Sequence, residues 1–291
     1  MDILEFEALL RDGDTLKCLL AVERLTDMNV TSPYAGYTAL QYACRRGKGP
    51  VVQALLDRGA NMSTRNSHDM DAALIALTRE HIGVVEILLD RGLDISTTDG
   101  NEWTYLHHAA RQGDLGMVKM LLARGSDLHA KTNKNRTPLH VAIGSGKPDI
   151  AAYLLSVGAD PLSQDSLGES CLHYTCELNV PSLTKIILEE GVPVDLVDNT
   201  GTTALMWAAT HSTTDVLSLL LAKTPSINLQ NNTGLSALMF ATMYSRVNCA
   251  ELLIEHGARI DLVNNEGRTA LDLATQSCKE HIHELFSQVA K

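Results

Sequence analysis

Histidines and cysteines gather at three places along this 291-residue chain: His107-His108, the set Cys171, His173 and Cys176, and the set Cys278, His281 and His283. Imidazole and thiolate are the usual zinc ligands, so each cluster first suggests a metal site. The spacing argues against it. On a helix, Cys171 and Cys176 stand about 500° apart around the axis and so diverge by ~140°. That does not build a tetrahedral site. The C-terminal set is equally poor, and His107-His108 reads as a structural imidazole with a packed neighbour. A Ser/His/Asp set could be drawn from the composition, but nothing positions it. The chain has no Gly-rich phosphate loop, nucleophile elbow or metalloprotease helix. The residues therefore point to no catalytic group, no metal and no cofactor.

The elements that would hold such residues repeat with a fixed period. Stepping by 33 from Leu40 reaches Ala73, Leu106, Leu139, Leu172, Leu205, Leu238 and Leu271. A second ladder runs Leu56, Leu89, Leu122, Leu155, Leu188, Leu221 and Ile254. Neither ladder needs an insertion or deletion, which marks a repeat architecture. Both are expected in the core, where truncating Leu122 to Ala would remove about 2–5 kcal/mol.

The other columns name the elements. Two residues before the first ladder stand Thr38, Asp71, Thr104, Thr137, Ser170, Thr203, Ser236 and Thr269, all side chains able to cap a helix. Pro138 suits the first helical turn. Small pairs such as Ala109-Ala110 and Ala208-Ala209 let a second helix approach. The first helix, about nine residues, ends near Gly47, Gly113 and Gly146, or Glu80, Asn179, Ser212, Ser245 and Cys278. A second helix carries apolar residues at i, i+1, i+4 and i+5, as in Val51-Val52 and Leu55-Leu56. It closes at Gly59, Gly92, Gly125, Gly158, Gly191 and Gly257, a left-handed cap column. Thr224 breaks that column, so this helix is expected to end differently, helped by Pro225. Asn66, Asp99, Asp165, Asp198, Asn231 and Asn264, with Gly at 36, 168, 201, 234 and 267, mark tight reversals before the next cap.

Asn135-Arg136-Thr137-Pro138-Leu139-His140-Val141-Ala142 resembles the Gly-x-Thr-Pro-Leu-His-x-Ala signature of ankyrin repeats, and the 33-residue period is theirs. Glu102 to Ala110 and Gly168 to His173 are looser copies. The resemblance covers roughly residues 33–291. It implies an all-α ankyrin-repeat solenoid of helix-turn-helix units with β-hairpin turns. About eight repeats plus a cap are implied: a degenerate N-terminal capping repeat at 1–32, seven repeats at 33–263 and a truncated C-terminal cap at 264–291. The signature His is replaced by Gln41, Leu74, Met206, Met239 and Asp272. In the family that His hydrogen-bonds the neighbouring turn, so those units should be less ordered and residues 99–190 the most regular.

Composition narrows the function. Hydrophobic residues make up 45% and charged residues 20%, an ordinary globular balance, while aromatics are only 4%. A formal net charge of -11 opposes general nucleic-acid binding. The six Cys form no Cys-x-x-Cys and read as buried apolar groups in a reducing compartment. The acidic N-terminus is not a signal peptide, and no apolar run reaches the ~20 residues that span a bilayer. A monomer in the cytoplasm or nucleus is expected.

Stacking leaves the turn tips and the exposed face of each first helix for function. By register these present Tyr34, Tyr37, Arg45, Arg46, Met70, Arg79, Trp103, Arg111 and Arg136. Tyr34, Tyr37, Met70 and Trp103 place large groups at adjacent exposed tips, and Arg45, Arg46, Arg79 and Arg111 line the helix ends. Such residues dominate binding hot spots, and the Arg row suits a partner segment with carboxylates or phosphates. Trp207 and Phe240 share a column with Tyr42 and Tyr174 and read as core. The expected function is a protein-protein interaction module (adaptor, scaffold or inhibitor) that uses the concave groove and hairpin tips. The alternative is the substrate-recognition arm of a larger enzyme, such as a ubiquitin ligase or acyltransferase complex. A structural spacer is a weaker third reading.

Overall fold

A computed structural model of the chain describes residues 1–211, 214–274 and 279–289, among which are eighteen helices and no strand. Each short first helix opens on the cap column. Thr38, Asp71, Thr104, Thr137, Ser236 and Thr269 accept the backbone N–H three residues on. Thr203 does the same toward Met206, and Ser170 pairs with His173. One donor left over at each helix start is thereby satisfied. The ends of the first helices also follow the sequence. Gly47, Gly113, Gly146, Glu80, Asn179 and Ser245 all have left-handed φ, while Ser212 and Cys278 lie outside the described residues.

The chain divides into two compact units, Met1–Asn133 and Lys134–Lys291. The division falls inside the stretch 99–190 expected to be most regular. In the first unit the helix pairs are Ile3–Asp12 with Thr15–Val22, Ala39–Arg45 with Gly49–Asp57, Ala72–Leu77 with Ile82–Asp90, and Tyr105–Gln112 with Leu115–Ala123. In the second they are Pro138–Gly144 with Pro148–Ser156, Cys171–Glu177 with Pro181–Glu189, Ala204–His211 with Thr214–Leu221, Ala237–Met243 with Val247–Glu255, and Ala270–Leu273 with Lys279–Val289. Within each unit, first helices pack on the first helices of neighbouring pairs. Residues 1–32 thus hold a true helix pair, opened by an Asp2–Glu5 capping box.

The first Leu ladder is buried from Leu40 through Leu238 and half-buried at Leu271. The second ladder needs correction. Leu56, Leu89, Leu122 and Ile254 are only half-buried. The residue before each one, in the column Leu55, Leu88, Leu121, Leu154, Ile187, Leu220 and Leu253, is 0% exposed throughout. Adjacent residues on a helix differ by about 100° in direction, and the preceding one points between the pairs. The helix Thr214–Leu221 ends differently, as the broken column implied, one residue earlier in register than its counterparts. Thr224 takes the left-handed φ of +52° that glycines take elsewhere, so a β-branched residue bears it, but Pro225 has no N–H for the closing bond that Ala60, Leu93, Ser126, Ala159 and Ala258 make.

Turns replace hairpins. The antiparallel pairing shrinks to single bridges, at Thr98 with Thr104, Gln164 with Ser170, Val197 with Thr203, and Val263 with Thr269. Successive tips are joined instead by backbone hydrogen bonds. In the second unit the N–H groups of Ser166, Asn199, Asn232 and Asn265 donate to the carbonyls of Lys134, Leu167, Thr200 and Thr233. Side chains reinforce the row, with Asn232 Nδ2 donating to Asn199 O and Asn265 Nδ2 to Asn232 O. The replaced signature His also has a substitute. Gln41 accepts from Thr38 N–H and donates to the carbonyls of Thr64 and Met70. Gln164 and Gln230 brace the turns in a separate way, each donating to the carbonyl four residues on and to the one 33 residues on, whether or not the signature His is present.

Two stability predictions follow from this packing. Chemical denaturation of Leu121→Ala is expected to show a loss of about 2–5 kcal/mol, with Leu122→Ala losing substantially less. A Cβ at Gly201 would lie 2.6 Å from Asn232 Oδ1 and 3.1 Å from its backbone nitrogen, at φ +74°, whereas Gly92 meets nothing within 4 Å. Gly92→Ala is expected to cost about 1–2 kcal/mol for its left-handed backbone alone, and Gly201→Ala clearly more.

Candidate functional site: turn tips and two concavities

Each reversal is closed by one side-chain oxygen. Asp99 Oδ1 accepts the backbone N–H groups of Asn101 and Trp103, Asp165 Oδ1 those of Leu167 and Glu169, and Asp198 Oδ1 those of Thr200 and Thr202. Asn66 and Asn231 make the same pair of bonds. An Asp has a second oxygen to satisfy; an Asn does not. The chain meets this need nine residues later. His108 Nε2 stands 2.9 Å from Asp99 Oδ2, Tyr174 Oη donates to Asp165 Oδ2 at 2.8 Å, and Trp207 Nε1 points at Asp198 Oδ2 from 3.4 Å. Where the turn residue is Asn66 or Asn231, the ninth residue is Ile75 or Phe240, with no donor. This covariation is legible in the sequence, yet a period-33 reading alone passes over it.

The polar clusters that suggested chemistry are held by structural bonds. Ser170 bonds Nδ1 of His173, whose Nε2 donates to Thr202 O. Cys171 and Cys176 are fully buried, and burial pushes the Cys176 thiol up to about 12. His107 closes a capping box with Thr104. Among the described residues no group of three His, Cys, Asp or Glu could hold a metal ion; Cys278 lies outside them. Cys18, Cys44 and Cys249 are likewise buried and outside any disulfide. Among the described residues no helix is long and apolar enough to cross a membrane.

The expected binding residues separate into two groups. Tyr34 is 89% exposed, and Arg46, Arg79 and Arg111 are exposed. The others are less free than their register implied. Tyr37, half-buried, stacks on Tyr42 with centroids 5.1 Å apart, and Arg45 lies 5.7 Å over it. Trp103, also half-buried, leans on His108 at 5.3 Å, with Arg111 5.2 Å over its ring. Arg136 lies 5.2 Å over Tyr174 and pairs with Asp165 Oδ2 at 3.4 Å. Guanidinium groups thus repeatedly sit on aromatic faces, an electrostatic attraction to the ring quadrupole. Of the four large tip residues, Tyr34 alone stands clear; Met70 is half-buried in a concavity of about 450 Å³ with His68, Thr78 and Arg111.

The second unit has a concavity of its own that the sequence reading missed. About 430 Å³ in volume, it is lined by Leu167, Glu169, Asp198, Trp207, Phe240 and Tyr244 among others. Trp207 and Phe240 are half-buried there, which corrects their assignment to the core. His211 stacks on Trp207 with centroids 5.3 Å apart and planes 16° from parallel. Burial, with Asp165 and Glu177 nearby, pushes the Glu169 carboxyl up to about 6.

Helix pairs at a 33-residue period, capped, closed by Asx turns and leaving tips and first-helix faces open, define an all-α repeat protein. Family comparison agrees. The model for ankyrin repeats (3 copies) matches residues 6–99, 93–165, 155–231 and 219–290, and the chain belongs to the ankyrin-repeat family. That family generally serves protein-protein interaction and is typically non-enzymatic. No curated protein matches the chain at a significant level.

The buried signature imidazole carries a pH prediction. Burial lowers His140 from 6.5 to about 4. Its Nδ1 pairs with Thr137, while Nε2 faces the Ser163 and Glu169 carbonyls without closing a hydrogen bond. The fold holds the neutral ring, so its contribution is full above pH 6.5 and is lost as pH falls toward 4, roughly 3 kcal/mol in all. Gln41 fills the equivalent position elsewhere without titrating. Denaturation between pH 7.5 and 4 is expected to show His140→Gln losing less stability than the wild type.

Proposed function

We propose that this chain is a protein-protein interaction module, an adaptor, scaffold or inhibitor, that holds a partner through its turn tips and the concave faces of its first helices. The observation that carries this reading is the exposed row Tyr34, Arg46, Arg79 and Arg111 in the first unit, beside the guanidinium-aromatic pairs of Tyr37 and Trp103. Tyr, Trp and Arg supply large contact area and fixed hydrogen-bond geometry to interfaces. In a chain of net charge -11, a local Arg row suits a partner segment that carries carboxylates or phosphates.

The remaining proposals fit that role. The repeat is read as seven full units at 33–263 between an N-terminal cap at 1–32 and a C-terminal cap at 264–291. The molecule acts as a monomer without a cofactor, in the cytoplasm or nucleus, and binds no nucleic acid generally. In the first unit the half-buried Tyr37, Met70 and Trp103 shape the wall and the exposed Tyr34, Arg46 and Arg79 make first contact; in the second unit the paired Arg136 belongs to the wall.

A triple variant, Tyr34→Ala with Arg46→Glu and Arg79→Glu, tests this. Thermal melting is expected to match the wild type, because all three side chains are exposed. Affinity for the main partner recovered by unbiased affinity capture is expected to fall by on the order of 2–4 kcal/mol. Undiminished capture by a folded triple variant would refute the assignment of the tips.

A further inference from the structure

Arg136 displays what the turn chemistry of the second unit accepts. Its guanidinium lies 5.2 Å over the Tyr174 ring, and its Nε is 3.4 Å from Asp165 Oδ2, the oxygen that also takes the Tyr174 hydroxyl. One period further along, Asp165 becomes Asp198 and Tyr174 becomes Trp207, while Arg136 becomes Glu169. The acceptor and the aromatic surface are kept, and the residue that supplied the cation is now a carboxylate. Trp207 offers a stronger ring for a cation than Tyr174 does. All three of these residues line the 430 Å³ concavity.

Charge and shape agree on the occupant. Among the described residues no hydrogen bond or ion pair engages the Glu169 carboxylate, and burial with the neighbouring Asp165, Glu177 and Asp198 opposes its ionisation more than the Arg136 charge favours it. A cation entering beside it relieves that repulsion. Leu167, Phe240 and Tyr244 supply apolar wall for an aliphatic stem. The volume lies at the small end for binding pockets, which suits one side chain. His211 stacks on Trp207 at the wall of the concavity.

We propose that this concavity receives the guanidinium of an arginine side chain presented by the protein partner, stacked on Trp207 and paired with Glu169. The proposal rests on the protein-binding reading above and names the chemistry of one contact. A planar guanidinium can stack and donate in a fork at once, which a lysine ammonium cannot do. The site therefore discriminates arginine from lysine as well as from neutral side chains.

Trp103 and Trp207 are the only indoles, so in a Trp103→Phe background Trp207 fluorescence reports on the concavity alone. That protein is titrated with acetyl-Gly-Arg-Gly-amide and with its lysine and citrulline counterparts. A saturable change is expected for the arginine peptide, with the other two at least about tenfold weaker. Glu169→Gln is expected to weaken arginine binding by about tenfold. Glu169→Arg places a guanidinium from the chain itself where Arg136 sits one period earlier; it should stay folded by circular dichroism and abolish the response. The proposal is overturned if the arginine and citrulline peptides behave alike, if lysine binds as well as arginine, or if folded Glu169→Arg still binds. The same Glu169→Arg chain is compared with the first-unit triple variant in partner capture. Loss with the triple variant and an absent peptide response overturns this proposal and leaves the interaction module standing. A peptide response with unimpaired capture by the triple variant supports the site and removes the tip assignment.

Discussion

A pair of helices only four to eleven residues long cannot bury its own apolar face, so every pair in this chain depends on a neighbour to cover it. That dependence sets the 33-residue period. Leu40 and Leu106 in the first unit, and Leu139 and Leu172 in the second, keep their places because each must meet a neighbouring pair of its own unit at the same height, and the fully buried Leu55 and Leu88, and Leu154 and Ile187, close the other side. The small pairs Ala109-Ala110 and Ala208-Ala209, wholly buried, allow the close approach. Nearly all of the strictly periodic residues are consumed by this requirement, and function is left to those that depart from the period.

The turns obey a second, polar constraint. Every backbone N–H in a reversal needs an acceptor, and one Asp or Asn oxygen supplies it for two of them. The use of Asp leaves a charged oxygen near the buried layer, and the chain answers with His108, Tyr174 or Trp207. These donors are large rings, so satisfying a turn also builds an aromatic surface at the base of the tips. Whether that surface is covered depends on one further residue: Arg136 lies over Tyr174, and Glu169 stands in the corresponding place before Trp207. Structural bookkeeping of hydrogen bonds thereby creates the walls that a partner can use.

Much of the fold was legible because it is local. A capping side chain acts on the N–H three residues on, and a left-handed cap acts within one turn, so Thr104 and Gly125 announce helix boundaries without knowledge of neighbours. The site was less legible. Tyr37 and Trp103 sit at tip positions by register, but their rings fold onto Tyr42 and His108. Trp207 and Phe240 share a column with buried Tyr42, yet they are half-buried and line a concavity. Leu121 and Leu122 are both apolar, and no pattern along the chain separates them.

By itself, then, the amino-acid order determined the period, the caps, the reversals and the all-α repeat class, since each arises from contacts within a few residues or from a spacing repeated without slippage. Tertiary structure alone decided which of two adjacent leucines faces the core, which tip rings remain open and where Glu169, Asp198 and Trp207 converge. Those outcomes hinge on side chains about 33 residues apart meeting in space, and exposure is a property of the neighbour as much as of the residue.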